Sequence, residues 1–94
     1  MNKKQQLYYL IQKYLNGEYD TKTFCSEYYN LYVHMDDKSD IFSNNEEKVF
    51  RNLLDVVGRF SEFEEEIINN PNMFYSEEEI YKCALDSNIK LTDS

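Results

Sequence analysis

Residues 7–35, LYYLIQKYLNGEYDTKTFCSEYYNLYVHM, decide the fold of this chain. Apolar side chains recur every three or four positions in both halves of the stretch, which is the pattern of one face of an α-helix. They are Leu7, Leu10, Ile11, Tyr14 and Leu15 in the first half and Phe24, Cys25, Tyr28, Leu31, Tyr32 and Met35 in the second. Asn16-Gly17 is a helix stop, and Asp20-Thr21 is a helix start. The stretch therefore predicts two helices, over residues 3–15 and 21–34, packed as an αα-hairpin.

Two more helices are predicted after the hairpin. Residues 36–45 form a polar loop whose aspartates lack the glycine and distal glutamate of a calcium loop. The Ser43–Glu46 spacing is that of a capping box, which opens a third helix over residues 45–60. A second box at Ser76–Glu79 opens a fourth helix over residues 77–87, with Ile89 and Leu91 expected to tuck back as a tail.

The stretch between these two helices is ambiguous. Residues 62–70, EFEEEIINN, either extend the third helix or form a separate turn that ends before Pro71. Residues 73–75 are expected to lie as an anchored loop over the core. The predicted fold class is all-α, a compact antiparallel four-helix bundle, with residues 1–94 as a single domain.

The charge is strongly negative and unevenly distributed. The 94 residues carry a net charge of −8, and 16% of them are aromatic, a composition too aromatic for a disordered chain. Residues 1–34 have a net charge of +1, whereas residues 35–94 have a net charge of −9. The interval 60–79 holds seven glutamates and no basic residue. Such a surface repels nucleic acid and anionic membranes and favours a basic partner, although solubility alone explains it equally well.

The sequence offers no arrangement of residues for catalysis. Cys25 and Cys83 are far apart on apolar helix faces and are expected to be buried, reduced thiols. His34 is expected to be a helix cap or surface residue, and the run of Glu62, Glu64, Glu65 and Glu66 is expected to be solvated, without the partly apolar cleft of a catalytic carboxylate. No metal site, cofactor or enzymatic activity is predicted. Without a signal-peptide core or a membrane-spanning segment, the protein is expected to be cytoplasmic.

Four segments carry a resemblance to a known family. They are YLNGE at residues 14–18, TFCSEYY at residues 23–29, VFRNLLDVV at residues 49–57 and SEEEI at residues 76–80. With these segments the chain resembles the colicin D-type immunity proteins, including immunity proteins of contact-dependent growth inhibition systems. The resemblance implies a four-helix protein that binds a cognate nuclease toxin, often a tRNase, and covers its positively charged active site.

The expected binding surface consists of acidic residues and one tyrosine. The candidates are Asp36, Asp37 and Asp40 in the loop, Glu62, Glu64, Glu65 and Glu66 after the third helix, and Tyr75, Glu77 and Glu78 around the start of the last helix. The expected partner is a basic nuclease toxin domain, with no nucleic acid and no membrane, and the free protein is expected to be a monomer or a weak homodimer. The alternative is a non-catalytic regulatory or adaptor module that docks through exposed tyrosines, namely Tyr19, Tyr29 and Tyr75, and through the loop between the second and third helices.

Overall fold

The protein is all-α over the residues that the computed structural model describes, which are 2–35, 42–70 and 73–92, without the side chain of Glu64. The five helices there are α1 (Lys3–Leu15), α2 (Thr21–Val33), α3 (Asn44–Val57), α4 (Glu64–Asn69) and α5 (Glu77–Thr92). An isolated parallel bridge pairs Phe60 with Tyr75. These helices confirm the predicted all-α class. The radius of gyration of 13.2 Å confirms the predicted compactness.

The hairpin is built as the sequence predicts. α1 ends at Leu15, and Gly17 adopts the left-handed conformation with φ at 82°. Asp20 caps α2 by accepting a hydrogen bond from the Thr23 backbone N–H at 2.7 Å. At the other end, the Lys3 ammonium donates to the His34 carbonyl at 3.0 Å. The start of α1 therefore lies beside the end of α2, and the two helices run antiparallel.

The apolar faces of α1, α2, α3 and α5 close over one aromatic core. Phe24, Tyr28 and Phe50 are fully buried, and the ring of Tyr14 stacks on that of Phe24 with 4.3 Å between centroids. The Tyr28 hydroxyl donates to the Phe50 carbonyl at 2.9 Å, which satisfies its one polar atom. Each fully buried large apolar side chain contributes about 1.5–3 kcal/mol, so the core holds the four long helices together.

Two helix ends differ from the prediction. α3 ends at Val57 with Gly58 as its C-cap, because the chain turns there so that Phe60 can pair with Tyr75. α5 runs on to Thr92 instead of ending at residue 87. Leu91 is only 5% exposed, and its burial holds the last turn against the core. Ile89 was wrongly expected to tuck in, because it lies on the outer face of the continued helix and is 50% exposed.

The ambiguous stretch forms a separate short helix, α4. The described residues therefore contain five helices, whereas four were predicted. α4 packs against none of the other described helices. Met73, expected over the core, is 60% exposed, whereas Tyr75 is half-buried against the core. Tyr75 therefore anchors the C-terminal end of this loop. Its N–H donates to the Arg59 carbonyl, and its carbonyl accepts from the Ser61 N–H.

Candidate functional site

The structure describes two of the three predicted acidic groups. Asp36, Asp37 and Asp40 lie outside the described residues, as does the side chain of Glu64. Glu62, Glu65 and Glu66 flank or lie on α4 and are exposed. Glu77 and Glu78 lie in the first turn of α5 and are also exposed.

The first turn of α2 brings these two groups to the same end of the molecule. The Thr21 hydroxyl donates to a Glu77 carboxylate oxygen at 2.9 Å. The next residue, Lys22, places its ammonium 3.4 Å from a Glu62 carboxylate oxygen. Because Thr21 and Lys22 are consecutive, segments that are distant in the sequence meet here. The set comprises Asp20, Glu62, Glu65, Glu66, Glu77 and Glu78, and it is called the acidic end below.

Most of the negative charge at the acidic end is not neutralised. Glu62 pairs with Lys22, and Glu78 pairs with Lys82 at 3.4 Å, but both pairs are largely exposed and therefore weak. Within the described part of the chain, Asp20, Glu65, Glu66 and Glu77 have no basic partner. The other exposed pairs, such as Arg59–Asp55 and Lys90–Asp86, are balanced. Four carboxylates that form no salt bridge among the described residues therefore belong to this end.

Helix N-termini make such a concentration of charge tolerable. α2, α4 and α5 all begin here, with Asp20 as the cap of α2 and glutamates in the first turns of α4 and α5. The positive end of a helix dipole stabilises nearby carboxylates. Hydrogen bonds from the Thr23 side chain and backbone lower the pKa of Asp20, so its carboxylate keeps its charge at a lower pH than an ordinary aspartate.

Two of the carboxylates accept hydrogen bonds from buried hydroxyl groups, which fix their orientation. Thr21 is 3% exposed, and because its single hydrogen goes to Glu77, the Tyr14 hydroxyl must donate to Thr21 across 2.9 Å. Ser61 is 6% exposed and donates to a Glu66 carboxylate oxygen at 2.6 Å. A carboxylate fixed in this way loses less side-chain entropy when it binds a cation.

Exposed apolar side chains accompany the acids, and sequence reasoning missed them because it favoured the acids alone. Phe63, Ile68 and Met73 are 60%, 70% and 60% exposed, more than any other large apolar side chain in the described part. Ile68 lies on α4, Phe63 is its N-cap and Met73 follows it in the chain, so the three are called the apolar α4 residues below. Apolar groups inside a charged rim are typical of protein–protein interfaces. Their signal in the sequence is weak, because α4 has six residues and shows no full helical period.

The predicted tyrosine surface is only partly exposed. Tyr29 is 46% exposed, but Tyr19 and Tyr75 are half-buried and pack against the core. Tyr75 lies between the two acidic groups in the chain and serves mainly to anchor the segment after α4.

The described residues show no reactive centre. No group of three or more His, Cys, Asp or Glu side chains among them could hold a metal ion. Burial raises the pKa of the Cys25 thiol to about 12, and burial also raises the pKa of Cys83, so both thiols stay protonated. His34 is exposed at the C-cap of α2, where a ring nitrogen lies 2.7 Å from the Asn30 carbonyl oxygen.

Comparison with known proteins adds no relative. No family model, curated protein or solved structure matches the chain. Among the helices described, none has both the length and the apolar character needed to cross a membrane.

Proposed function

We propose that this protein is an immunity protein that binds the nuclease domain of a bacterial toxin, with a tRNase as the first candidate, and covers its basic active site with the acidic end. The observation that supports the proposal is the meeting of Glu62, Glu65 and Glu66 with Glu77 and Glu78 around the first turn of α2. A nuclease site that binds RNA must be basic, and an acidic surface competes with RNA for it.

The apolar α4 residues give this proposal a second source of affinity. Long-range attraction between charges mainly speeds association, whereas buried apolar contacts slow dissociation. Phe63 and Ile68 are exposed on the same segment as Glu65 and Glu66, and Met73 follows that segment in the chain, so residues close in sequence supply both effects. In this proposal α4 is the segment that enters the toxin surface.

We also infer that α1, α2, α3 and α5 form an antiparallel four-helix bundle that carries α4. Beyond the hairpin, the Asn45 side chain near the start of α3 donates to the Lys90 carbonyl near the end of α5 at 3.3 Å. Further along α3, Asn52 contacts the Cys83 sulfur, nearer the start of α5, at 3.9 Å. These contacts fit opposite directions for α3 and α5.

Co-expression with the product of the adjacent upstream gene tests the function. We expect that product to contain a toxic C-terminal domain, to arrest growth alone, and to co-purify with this protein when growth is restored. The proposal fails if no toxic domain is encoded there and no basic protein co-purifies.

Charge reversal then tests the surface. The variant with Glu62→Lys, Glu65→Lys and Glu66→Lys should associate with the toxin about tenfold more slowly at low salt. The matched control reverses Glu47, Asp55 and Asp86 and changes the net charge equally. Circular dichroism checks that both variants are folded. Equal losses in the two variants would mean that net charge, and not the acidic end, governs binding.

A non-catalytic adaptor module is the second candidate, and the exposure of Tyr29 favours it. Docking through tyrosines predicts an association rate that depends weakly on salt, whereas occlusion by charge predicts a rate that falls steeply as salt rises. Stopped-flow measurements with the co-purifying partner at several salt concentrations separate the two.

A further inference from the structure

The αα-hairpin carries an open groove that the proposed function does not use. Its volume is about 750 Å³, within the range of known ligand sites. The residues that line it are Gln6, Tyr9, Leu10, Tyr19, Glu27, Asn30 and Leu31. Leu10 is buried and Leu31 half-buried, so the base is apolar, while Tyr9 is 42% exposed and offers its ring at the wall.

The groove also carries one carboxylate without a counter-charge. Glu27 is exposed, and it makes no ion pair or side-chain hydrogen bond with the other described residues. Lys13, which does not line the groove, lies 2.9 Å from a Glu18 carboxylate oxygen. Its ammonium lies 5.2 Å from the centre of the Tyr9 ring, which shows that this ring accepts a cation.

We propose that this groove binds a short segment of a partner protein that carries an arginine or lysine beside a large apolar side chain. The apolar side chain would cover Leu10 and Leu31, and the cation would pair with Glu27 beside the tyrosine rings. Charge complementarity selects this occupant, because Glu27 and the net charge of −8 repel phosphate and anionic lipid headgroups.

The position of Tyr19 strengthens this assignment. Tyr19 lines this groove and also the concavity that contains Asp20, Glu77 and Glu78. The groove therefore adjoins the acidic end, whose field attracts a basic segment from a distance. The inference does not depend on the partner being a toxin.

The test is an NMR titration of the full-length, ¹⁵N-labelled protein with a defined probe. The probe is an amphipathic leucine–arginine peptide of about 14 residues, long enough to form a helix, and the control peptide has glutamate in place of arginine. We expect saturable shifts in the backbone amides of Tyr9, Glu27 and Leu31 with the arginine peptide and none with the control peptide.

Two substitutions at an exposed position make the test specific. Glu27→Gln should weaken binding of the arginine peptide about fivefold, and Glu27→Lys should weaken it about tenfold or more. Asp86→Asn removes one charge away from the groove and should change the affinity less than about twofold. Because Glu27 is on the surface, the variants are expected to fold.

Two results would overturn the inference. One is a set of shifts confined to Glu65, Glu66 and Glu77, which would place the peptide at the acidic end alone. The other is an equal loss of affinity in Glu27→Gln and Asp86→Asn, which would reflect net charge. Neither result bears on toxin neutralisation, which is read from growth in a separate experiment.

Discussion

The Tyr8 hydroxyl donates a hydrogen bond to a Glu46 carboxylate oxygen at 2.6 Å, and this contact ties α1 to the start of α3. The Ser43 N–H and the Lys4 ammonium also contact this carboxylate, at 2.9 and 3.4 Å. Burial by itself would raise the pKa of Glu46, but the hydrogen bonds from Ser43 and Tyr8 and the charge of Lys4 together lower it. Burial raises the pKa of Tyr8 well above its ordinary value, so its hydroxyl remains a donor.

The lowered pKa of Glu46 makes part of the stability depend on pH. Since the pKa is lower in the folded than in the unfolded protein, the stabilisation is present above the unfolded value of about 4.3 and is lost as the pH falls through the folded value. Glu46→Gln should therefore lower the free energy of unfolding by about 1–2 kcal/mol at pH 7 and by clearly less near pH 3. Urea denaturation at both pH values measures this.

Glu47→Gln is the matched control for this prediction. Its side chain is 39% exposed and pairs with Arg51 at 3.5 Å, so the cost should stay below about 0.5 kcal/mol at either pH. If the penalty of Glu46→Gln were the same at pH 3 as at pH 7, the contact would act through shape and not through charge.

The corner between α1 and α2 depends on the backbone of Gly17. Its φ is +82°, and, chain neighbours aside, no atom of the described residues lies within 4 Å of the position that a Cβ would occupy. Gly17→Ala should cost about 1–2 kcal/mol in the free energy of unfolding, because the strain is in the backbone and not in a clash. Gly17→Asn should cost less, since asparagine tolerates this conformation. Equal costs for the two variants in urea denaturation would contradict this explanation.

α4 is the helix that depends least on the core. It packs against no other described helix, and its N-cap residue Phe63 makes no side-chain capping hydrogen bond. The Ser61 hydroxyl stabilises it by donating to the Glu66 carboxylate and by accepting a hydrogen bond from the Phe63 N–H at 3.2 Å. We expect the backbone amides of α4 to exchange with solvent through local opening, far faster than those of Leu53 and Val56 in α3.

Ser61→Ala tests this view of α4. The substitution removes both hydrogen bonds of the Ser61 hydroxyl, to the Glu66 carboxylate and from the Phe63 N–H, and should reduce the already low protection of the α4 amides several-fold. Hydrogen exchange followed by NMR measures the change at each amide. The amides of Leu53 and Val56 should change much less, and equal changes in α3 and α4 would mean that α4 opens only with the whole molecule.

The whole molecule combines exposed apolar side chains with strong like-charge repulsion. The net charge of −8 at pH 7 keeps copies apart, and the calculated isoelectric point is about 4.5. We expect light scattering to give the 11.4 kDa monomer at pH 7 and increasing self-association as the pH approaches 4.5.

The apolar α4 residues should carry much of that self-association. Replacing Phe63, Ile68 and Met73 by serine should suppress it, because these large apolar side chains have the highest exposed fractions in the described part. The control replaces Tyr9, Tyr29 and Tyr81, which are 42–46% exposed, by serine. If only the control variant lost self-association, contact through tyrosines would be favoured instead.

The local elements were predictable because their signals lie within a few residues of each other. The caps at Asp20 and Ser43, the turn at Gly17 and the apolar faces of α1, α2 and α3 all depend on spacing along the chain. The end of α5 was missed because the burial of Leu91 depends on the rest of the core and carries the helix past the predicted end at residue 87.

The sequence by itself determined the all-α class, the hairpin and the excess of acid after residue 35. Only the tertiary structure decided where that acid gathers, because the contacts of Thr21 with Glu77 and of Lys22 with Glu62 join residues that are 56 and 40 positions apart. The isolation of α4 and the groove beside Glu27 were decided in the same way. Local spacing predicts which face of a helix is apolar, but a surface shared by several helices exists only once the core has set their positions.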